Sequence, residues 1–253
     1  MKKLMFFNMI AVCSLLFTAC DITDAPECTT SPGKIVQKEI VLEPFSQVAV
    51  FGKIKVYIEQ SDEQQVIVQA GENLIDAVST KVEDGKLILK DLNDCTFFQT
   101  TYEHVIHLKV PNLNYIENSG NRMIEGVGIL NFPSVTLISN NYAKNPEVYT
   151  NGDFKFDLES KTIRVSGDDF SNFYLSGKTG YFVAQFWAGD GRLEARELVA
   201  DSIQIFHRGT NKMILNPQNA LRGEIRSTGD VISVNRPPVV VVQSFYTGKL
   251  IFE

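Results

Sequence analysis

Three aspartates are the residues whose types and spacing in this sequence could support metal or acid chemistry. Asp168 and Asp169 are adjacent, and Asp190 follows about twenty residues later. If successive segments stack as β-strands about 4.8 Å apart, these carboxylates come close enough to share a calcium ion or to raise one another's pKa. A polysaccharide lyase or hydrolase would also need a positioned base or a paired general acid, and spacing assigns no residue to that role. We therefore interpret the three aspartates as solvated turn residues, with calcium binding as the alternative.

The three histidines do not form a metal-site pattern. His104 and His107 lie three residues apart in an alternating apolar segment, so in a strand their side chains point to opposite faces. His207 precedes Arg208 and a glycine turn, and we expect it on the surface. The chain has no phosphate-binding glycine loop, no Gly-x-Ser-x-Gly elbow and no His-Glu-x-x-His motif. The sequence therefore predicts no catalytic residue, metal or cofactor, and a protein that is not an enzyme.

The densest aromatic cluster comprises Tyr174, Tyr181, Phe182, Phe186 and Trp187. Strand alternation places Phe182 and Phe186 on one face and Trp187 on the other, and one of these sets should fill the interior. Exposed aromatic side chains are frequent in ligand contacts. Trp187 and Tyr181 are therefore the candidate ligand contacts, with core packing of the Trp187 ring as the alternative.

The elements that would position these residues are strands separated by a recurring glycine. Gly189, Gly209 and Gly229 are spaced by 20 residues, and a short alternating segment precedes each of them. A fixed period near 20 with alternation inside each unit predicts a β-solenoid, in which every coil covers its neighbour. The turns are expected to need glycine at positive φ. The alternative is an antiparallel sandwich with glycine turns.

The first half of the chain predicts further strands at the N-terminal end of the solenoid. Residues 35–110 are rich in valine and isoleucine, with turn residues every 8–15 positions, which is an all-β pattern. Only residues 72–80 could form one short helix. At the other end, residues 249–252 are expected to cover the open end of the stack.

The N-terminus has the pattern of an export signal. Lys2 and Lys3 precede an apolar run over residues 4–17, which is shorter than the roughly 20 apolar residues of a membrane-spanning helix. The run ends at Ala19-Cys20, a junction that resembles the lipobox of bacterial lipoproteins. In that group the cysteine is lipidated and becomes the new N-terminus, so the resemblance implies a lipid on Cys20.

The chain is predicted to consist of a signal peptide at 1–19, a flexible polar tether at 20–33 and one domain at 34–253. After export, Cys28 and Cys95 could form a disulfide in an oxidising compartment. Their spacing does not decide whether they pair.

Charge limits the class of partner. The chain has 24 basic and 30 acidic residues, and removal of residues 1–19 takes away two lysines and no acid, leaving a net charge of −8. A nucleic-acid-binding protein would need a basic surface, so nucleic acid is not a predicted partner. Contact with an anionic membrane is expected through the lipid anchor alone.

A set of short phrases lies between residues 45 and 113, in the glycine phrases that follow, and at 221–238. The set includes Phe45-Ser46-Gln47-Val48, Ile54-Lys55-Val56-Tyr57-Ile58, Val82-Glu83-Asp84-Gly85-Lys86 and Val110-Pro111-Asn112-Leu113. Over residues 40–250 this pattern resembles the putative auto-transporter adhesin, head GIN domain family. The Gly-Ile-Asn phrase that gives the family its name is absent.

The resemblance implies a fold similar to a right-handed parallel β-helix and a role in cell adhesion. It also implies an exported protein, since many members are lipoproteins, and it supplies no catalytic residue to transfer. We therefore expect a lipid-anchored protein of the cell envelope, at the outer membrane and with its domain exposed, that binds a glycan or protein ligand. The alternatives are a polysaccharide lyase or hydrolase on the same scaffold and a purely structural spacer, because a fold does not fix a function.

The lipid anchor can be tested directly at Cys20. Cys20→Ala should abolish labelling with a fatty-acid analogue and release the protein from membranes, because the thiol that carries the lipid is gone. Labelling and fractionation of cells expressing the two proteins measure this. Persistent labelling of the variant would contradict the predicted anchor.

Overall fold

The computed structural model describes residues 31–92, 103–141 and 143–253. The predicted signal peptide, the lipidation site Cys20 and the cysteines Cys28 and Cys95 lie outside the described residues. Apart from one 3-10 turn at Ile75–Ala77, the regular structure is β-strand. The strands are β1 Ile35–Glu39, β2 Gln47–Gly52, β3 Ile54–Gln60, β4 Gln65–Gly71, β5 Val78–Glu83, β6 Lys86–Asp91, β7 His104–Val110, β8 Tyr115–Gly120, β9 Ile124–Leu130, β10 Ser134–Ser139, β11 Phe154–Gly167, β12 Phe173–Phe186, β13 Leu193–His207, β14 Met213–Ile225, β15 Val231–Ser233, β16 Val239–Ser244 and β17 Leu250–Phe252.

These strands form two long ladders, and four bent strands, β11 to β14, belong to both. Ladder A runs in the order β5-β6-β2-β8-β10-β11-β12-β13-β14-β16. Ladder B runs β1-β4-β7-β3-β9-β11-β12-β13-β14-β15-β17. β11 pairs with β9 near its start, up to Leu158, and with β10 from Thr162 onwards, so one strand serves both ladders. The result is a curled all-β sheet with the arrangement of a β-helix, as the glycine period predicts.

The register confirms the predicted period. From β11 to β16, partners in neighbouring strands are 17–21 residues apart along the chain. One stacked column consists of Ile163, Phe182, Ile203, Leu221 and Val240. The pairs from β10 to β17 are parallel, which excludes the antiparallel sandwich. No described residues form a helix with the length and hydropathy needed to cross a membrane.

The two ends of the stack differ. At the N-terminal end, β5 closes ladder A through an antiparallel pair with β6, and β4 and β1 add antiparallel pairs to ladder B. The predicted cover at residues 249–252 is wrong. β17 pairs in parallel with β15, and β16 with β14, so this segment continues both ladders as a last coil.

The core consists of inward side chains stacked in columns. Phe182, Ala184 and Phe186 are buried, so of the two faces that alternation distinguishes in β12 this one fills the interior. Phe154 stacks on Phe173 with ring centroids 4.7 Å apart, and Phe173 in turn lies 5.7 Å from Phe186. Stacking the same position of successive coils therefore aligns aromatic rings along the axis of the solenoid.

His207 belongs to this core, so its predicted surface position is wrong. Its side chain is fully buried, and its ring lies 6.0 Å from that of Phe186 in an edge-on contact. Nε2 lies 2.9 Å from the carbonyl oxygen of Asn211, while Nδ1 has no hydrogen-bond partner among the described residues. Because burial disfavours the charged imidazole, the pKa of His207 is lowered from its ordinary value.

The three regularly spaced glycines serve different needs. Gly189 has a φ of +81°, as predicted, whereas Gly209 and Gly229 do not have positive φ. A Cβ on Gly229 would lie 2.1 Å from the carbonyl oxygen of Asn211 and 2.4 Å from Nε2 of His207. The turn at Gly229 therefore needs glycine because neighbouring coils approach closely.

We expect Gly229→Ala to lower the free energy of unfolding by about 3 kcal/mol, the upper part of the range for overpacking, because backbone and ring atoms must move. Gly85→Ala is the comparison, since that turn has a φ of +73° but open space around it. It should cost about 1 kcal/mol from backbone strain alone. Urea unfolding measures both, and equal losses would contradict the close-approach explanation.

The buried His207 predicts a pH effect on stability. Its pKa is lower in the folded chain than in the unfolded chain, where it is about 6.5. The unfolded chain therefore binds the proton more tightly, and stability should fall as the pH drops through 6.5 towards the folded-state pKa. Urea unfolding at pH 7.5 and 5.5 should show this loss of stability, and the loss should be smaller in His207→Gln. If the variant lost as much stability between the two pH values as the unaltered protein, His207 would not be the source of the effect.

Candidate ligand-binding surfaces

Ladder B carries a groove on its outer face because two strands bulge on either side of a flat floor. Between Lys155 and Asp157 of β11, the partner strand β9 runs from Glu125 to Ile129, two residues more than an even register needs. On the other side, β13 inserts one extra residue opposite the next stretch of β12. Bulges bend a strand out of its ladder, and they are frequent beside binding sites. Here they form the two walls of the groove.

The floor of the ladder B groove combines one aromatic ring with polar groups. Tyr174 pairs with Lys155, and Ser176 pairs with Asp157, so these four side chains point outward together. Tyr174 is 38% exposed. The groove has a volume of about 570 Å³, and β13 contributes acids and Arg196 to its wall. An aromatic face beside carboxylates and a hydroxyl can stack against and hydrogen-bond a polar ring.

The charges in this groove are partly paired. Lys155 donates to Glu125 across 2.8 Å, and Arg192 donates to Glu194 across 2.6 Å. Arg196 binds Glu253, which raises the pKa of Arg196 and lowers that of Glu253 through their hydrogen bond.

Asp157 and Glu197 also line the groove, and they form no ion pair with any residue that the structure describes. The groove therefore presents two free carboxylates and an excess of negative charge.

The aspartates predicted as a possible calcium site are used in turns. Asp168 accepts the backbone N–H of Asn141, and Asp169, at a φ of +78°, accepts the hydroxyl of Thr150 across 2.9 Å. Burial and the nearby Asp169 raise the pKa of Asp168.

The third aspartate, Asp190, accepts the hydroxyl of Thr210 across 2.6 Å. Within 31–92, 103–141 and 143–253, no group of three or more metal-ligating side chains is brought together.

The two aromatic residues predicted as ligand contacts lie on ladder A. Tyr181 is 40% exposed, and Trp187 is half-buried with its ring 4.6 Å from that of Phe206. Trp187 Nε1 donates to the hydroxyl of Ser166 across 3.3 Å. Six residues of extended strand separate Tyr181 from Trp187 by about 20 Å, so one small ring could not stack on both.

The histidines of β7 point to opposite sides, as predicted. His104 is buried beside Asp91, with Nε2 3.5 Å from a carboxylate oxygen. His107 faces outward and stacks on Tyr57 with ring centroids 5.4 Å apart. The two therefore cannot share a metal.

Sequence reasoning missed the ladder B groove. Tyr174 belongs to the aromatic cluster, yet nothing in the alternation of β12 distinguishes it from Tyr181. The available signal was Gly126-x-Gly128, because Gly128 has a φ of +72° and a Cβ on Gly126 would meet the ring of Phe156 at 2.8 Å. Paired glycines inside a strand pattern indicate a bulge.

Comparison with known proteins agrees with this fold. Residues 44–237 match the family described as putative auto-transporter adhesin, head GIN domain. Among curated proteins, none matches the chain.

Several solved structures are similar. A putative adhesin from Bacteroides fragilis is 16% identical, with a TM-score of 0.77 over 87% of this chain and 97% of that one. A putative lipid binding protein from Parabacteroides distasonis is 17% identical, with a TM-score of 0.62 over 87% and 97%. A putative adhesin from Parabacteroides merdae is 16% identical, with a TM-score of 0.60 over the same shares. At such low identity the likeness shows the fold alone.

Proposed function

The chain belongs to the putative auto-transporter adhesin, head GIN domain family, and on that premise we propose that it is a lipid-anchored, non-catalytic adhesion protein of the cell envelope. Its ligand is a glycan that binds in the ladder B groove. The observation that carries this proposal is the walled groove with Tyr174 in its floor and two unpaired carboxylates on its lining. Family membership supports an adhesion role at the cell surface.

The contacts of the last tether residues support attachment of the protein to the membrane by one end of the solenoid. The carbonyl of Ser31 accepts the side-chain amide of Asn73 across 2.9 Å, and that of Pro32 accepts the backbone N–H of Asn73. Asn73 lies two residues after β4, which lies with β1 at the N-terminal end of ladder B. A lipid on Cys20 would therefore hold the protein by this end, and the later coils would extend away from the membrane.

The chemistry of the groove selects a neutral or amino sugar. The apolar face of a sugar ring can lie on Tyr174, while Asp157 and Glu197 accept hydrogen bonds from its hydroxyl or ammonium groups. Such a sugar would bury the face of Tyr174 and would donate hydrogen bonds to the carboxylates, and both contacts favour binding. The excess negative charge of the groove disfavours acidic polysaccharides. The wall formed by Gly126 and Ile129 limits how the ring can be oriented.

A screen of the full-length protein against neutral and amino glycans should identify bound sugars, and Tyr174→Ala should weaken that binding about tenfold or more. Loss of one stacked ring contact of about 1.4 kcal/mol corresponds to that factor. The matched control is Tyr181→Ala, which removes a tyrosine of the same strand and nearly the same exposure from ladder A. Titration of one bound glycan measures both.

Two results would contradict the proposal. If Tyr181→Ala weakened glycan binding and Tyr174→Ala did not, the glycan contact would lie on ladder A, the surface favoured by the sequence. Cleavage of the bound glycan, lost in Asp157→Asn or Glu197→Gln, would make the protein a carbohydrate-active enzyme.

A further inference from the structure

Ladder A carries a second concavity on its outer face, which we call the ladder A pit. It has a volume of about 400 Å³ and lies across β12, β13, β14 and β16. Its lining includes Gln185, Gln204, Phe206, Arg222, Gln243 and one acid, Glu224. The pit and the ladder B groove have no lining residue in common.

The pit depends on an irregular position in β14. Gly223 has a φ of +130°, and a Cβ there would lie 1.9 Å from the carbonyl oxygen of Ile205. Any larger residue would therefore be strained and would collide with β13. Gly223 lines the pit and has no side chain, so a ligand can approach the main chain at this point.

Hydrogen-bond donors in the pit are unused. Arg192, Arg196 and Arg226 each bind a carboxylate, whereas Arg222 pairs with none of the described residues. The side chains of Gln185, Gln204 and Gln243 likewise have no hydrogen-bond partner in the part of the chain that the structure describes. A free guanidinium with neighbouring amides presents the donors that a carboxylate accepts.

One edge of the pit is aromatic and held rigidly. Phe206 contacts the ring of Trp187, and the guanidinium of Arg226 lies 5.9 Å from the centre of Phe206 and 4.3 Å from that of Phe245. Glu224 also binds Arg226, so this arginine is occupied while Arg222 is free. Such an edge can stack against the apolar face of a ring.

The two concavities therefore differ in charge. One outward column of ladder A at the pit contains Arg164, Val183, Gln204 and Arg222, and the acid of the pit, Glu224, is bound to Arg226, whereas acids predominate in the ladder B groove. We propose that the ladder A pit binds a carboxylate-bearing sugar, a uronic or sialic acid residue, with its carboxylate on Arg222 and its ring against Phe206. This second site is independent of the glycan site in the ladder B groove.

The test compares a charged probe with an uncharged counterpart. Trigalacturonate and its methyl ester have the same rings, but only the acid can form a charge-assisted bond to Arg222. In titrations of the full-length protein at about 0.15 M salt, where screening of surface charges is substantial, the acid should bind at least tenfold more tightly than the ester. Sialyllactose, compared with lactose, provides a second pair.

Variants separate this site from the groove. Arg222→Gln should weaken binding of the acid about tenfold or more. The affinity of Arg222→Lys for the acid should lie between those of the unaltered protein and Arg222→Gln, because a lysine keeps the charge but not the planar pair of donors. Arg196→Gln and Tyr174→Ala change ladder B and should leave binding of the acid unchanged. Circular dichroism of each variant verifies the strand content.

Three outcomes would overturn the proposal: no binding of either acidic probe, equal binding of acid and neutral counterpart, or full binding by Arg222→Gln. Loss of acid binding in Tyr174→Ala alone would assign the acidic sugar to the ladder B groove instead. If the protein bound no neutral glycan but still bound the acidic probes, the proposed function of the ladder B groove would fail and the acid site in the ladder A pit would still be supported.

Discussion

The rest of the structure depends on the parallel hydrogen-bonded register between successive coils. That register places residues about one repeat apart directly above one another, at a spacing of about 4.8 Å. Small inward side chains would leave voids and large ones at the turns would collide, so each coil constrains its neighbours. The stacked rings of Phe154 and Phe173 and the close approach at Gly229 are two consequences of the same spacing. Stability in such a stack comes mainly from contacts between adjacent coils.

The outward columns are free of this packing constraint, and binding chemistry can be built there. A regular ladder presents a nearly flat surface, so a concave site requires a local break in register. The protein has such breaks on both faces: bulges in β9 and β13 on ladder B, and the positive φ of Gly223 in β14 on ladder A. The ladder B groove is acidic and the ladder A pit has a free arginine. One scaffold can therefore present two sites that differ in charge.

Much of the fold could be predicted from the sequence because alternation and period report on backbone geometry. The glycine spacing predicted the solenoid, and alternation predicted that Phe182 and Phe186 share one face and that the histidines of β7 are opposed. His207 was wrongly placed, although it continues the alternation of Ile203 and Ile205, because its polarity was given more weight than its position. The groove was missed because a bulge changes which residues are neighbours, and its sign in the sequence, the pair Gly126-x-Gly128, was not used. The last coil was mistaken for a cover because both are short apolar strands.

The central claim is that the bulged walls of ladder B form the adhesion site. Amide hydrogen exchange of the full-length protein, with and without a bound neutral glycan, tests this claim most directly, because it locates the ligand without altering a side chain. The account predicts increased protection in β9 at Ile124–Leu130 and in the first half of β13, with little change in β10 and β16. Protection confined to ladder A, or to the turn that contains Asp168 and Asp169, would contradict it.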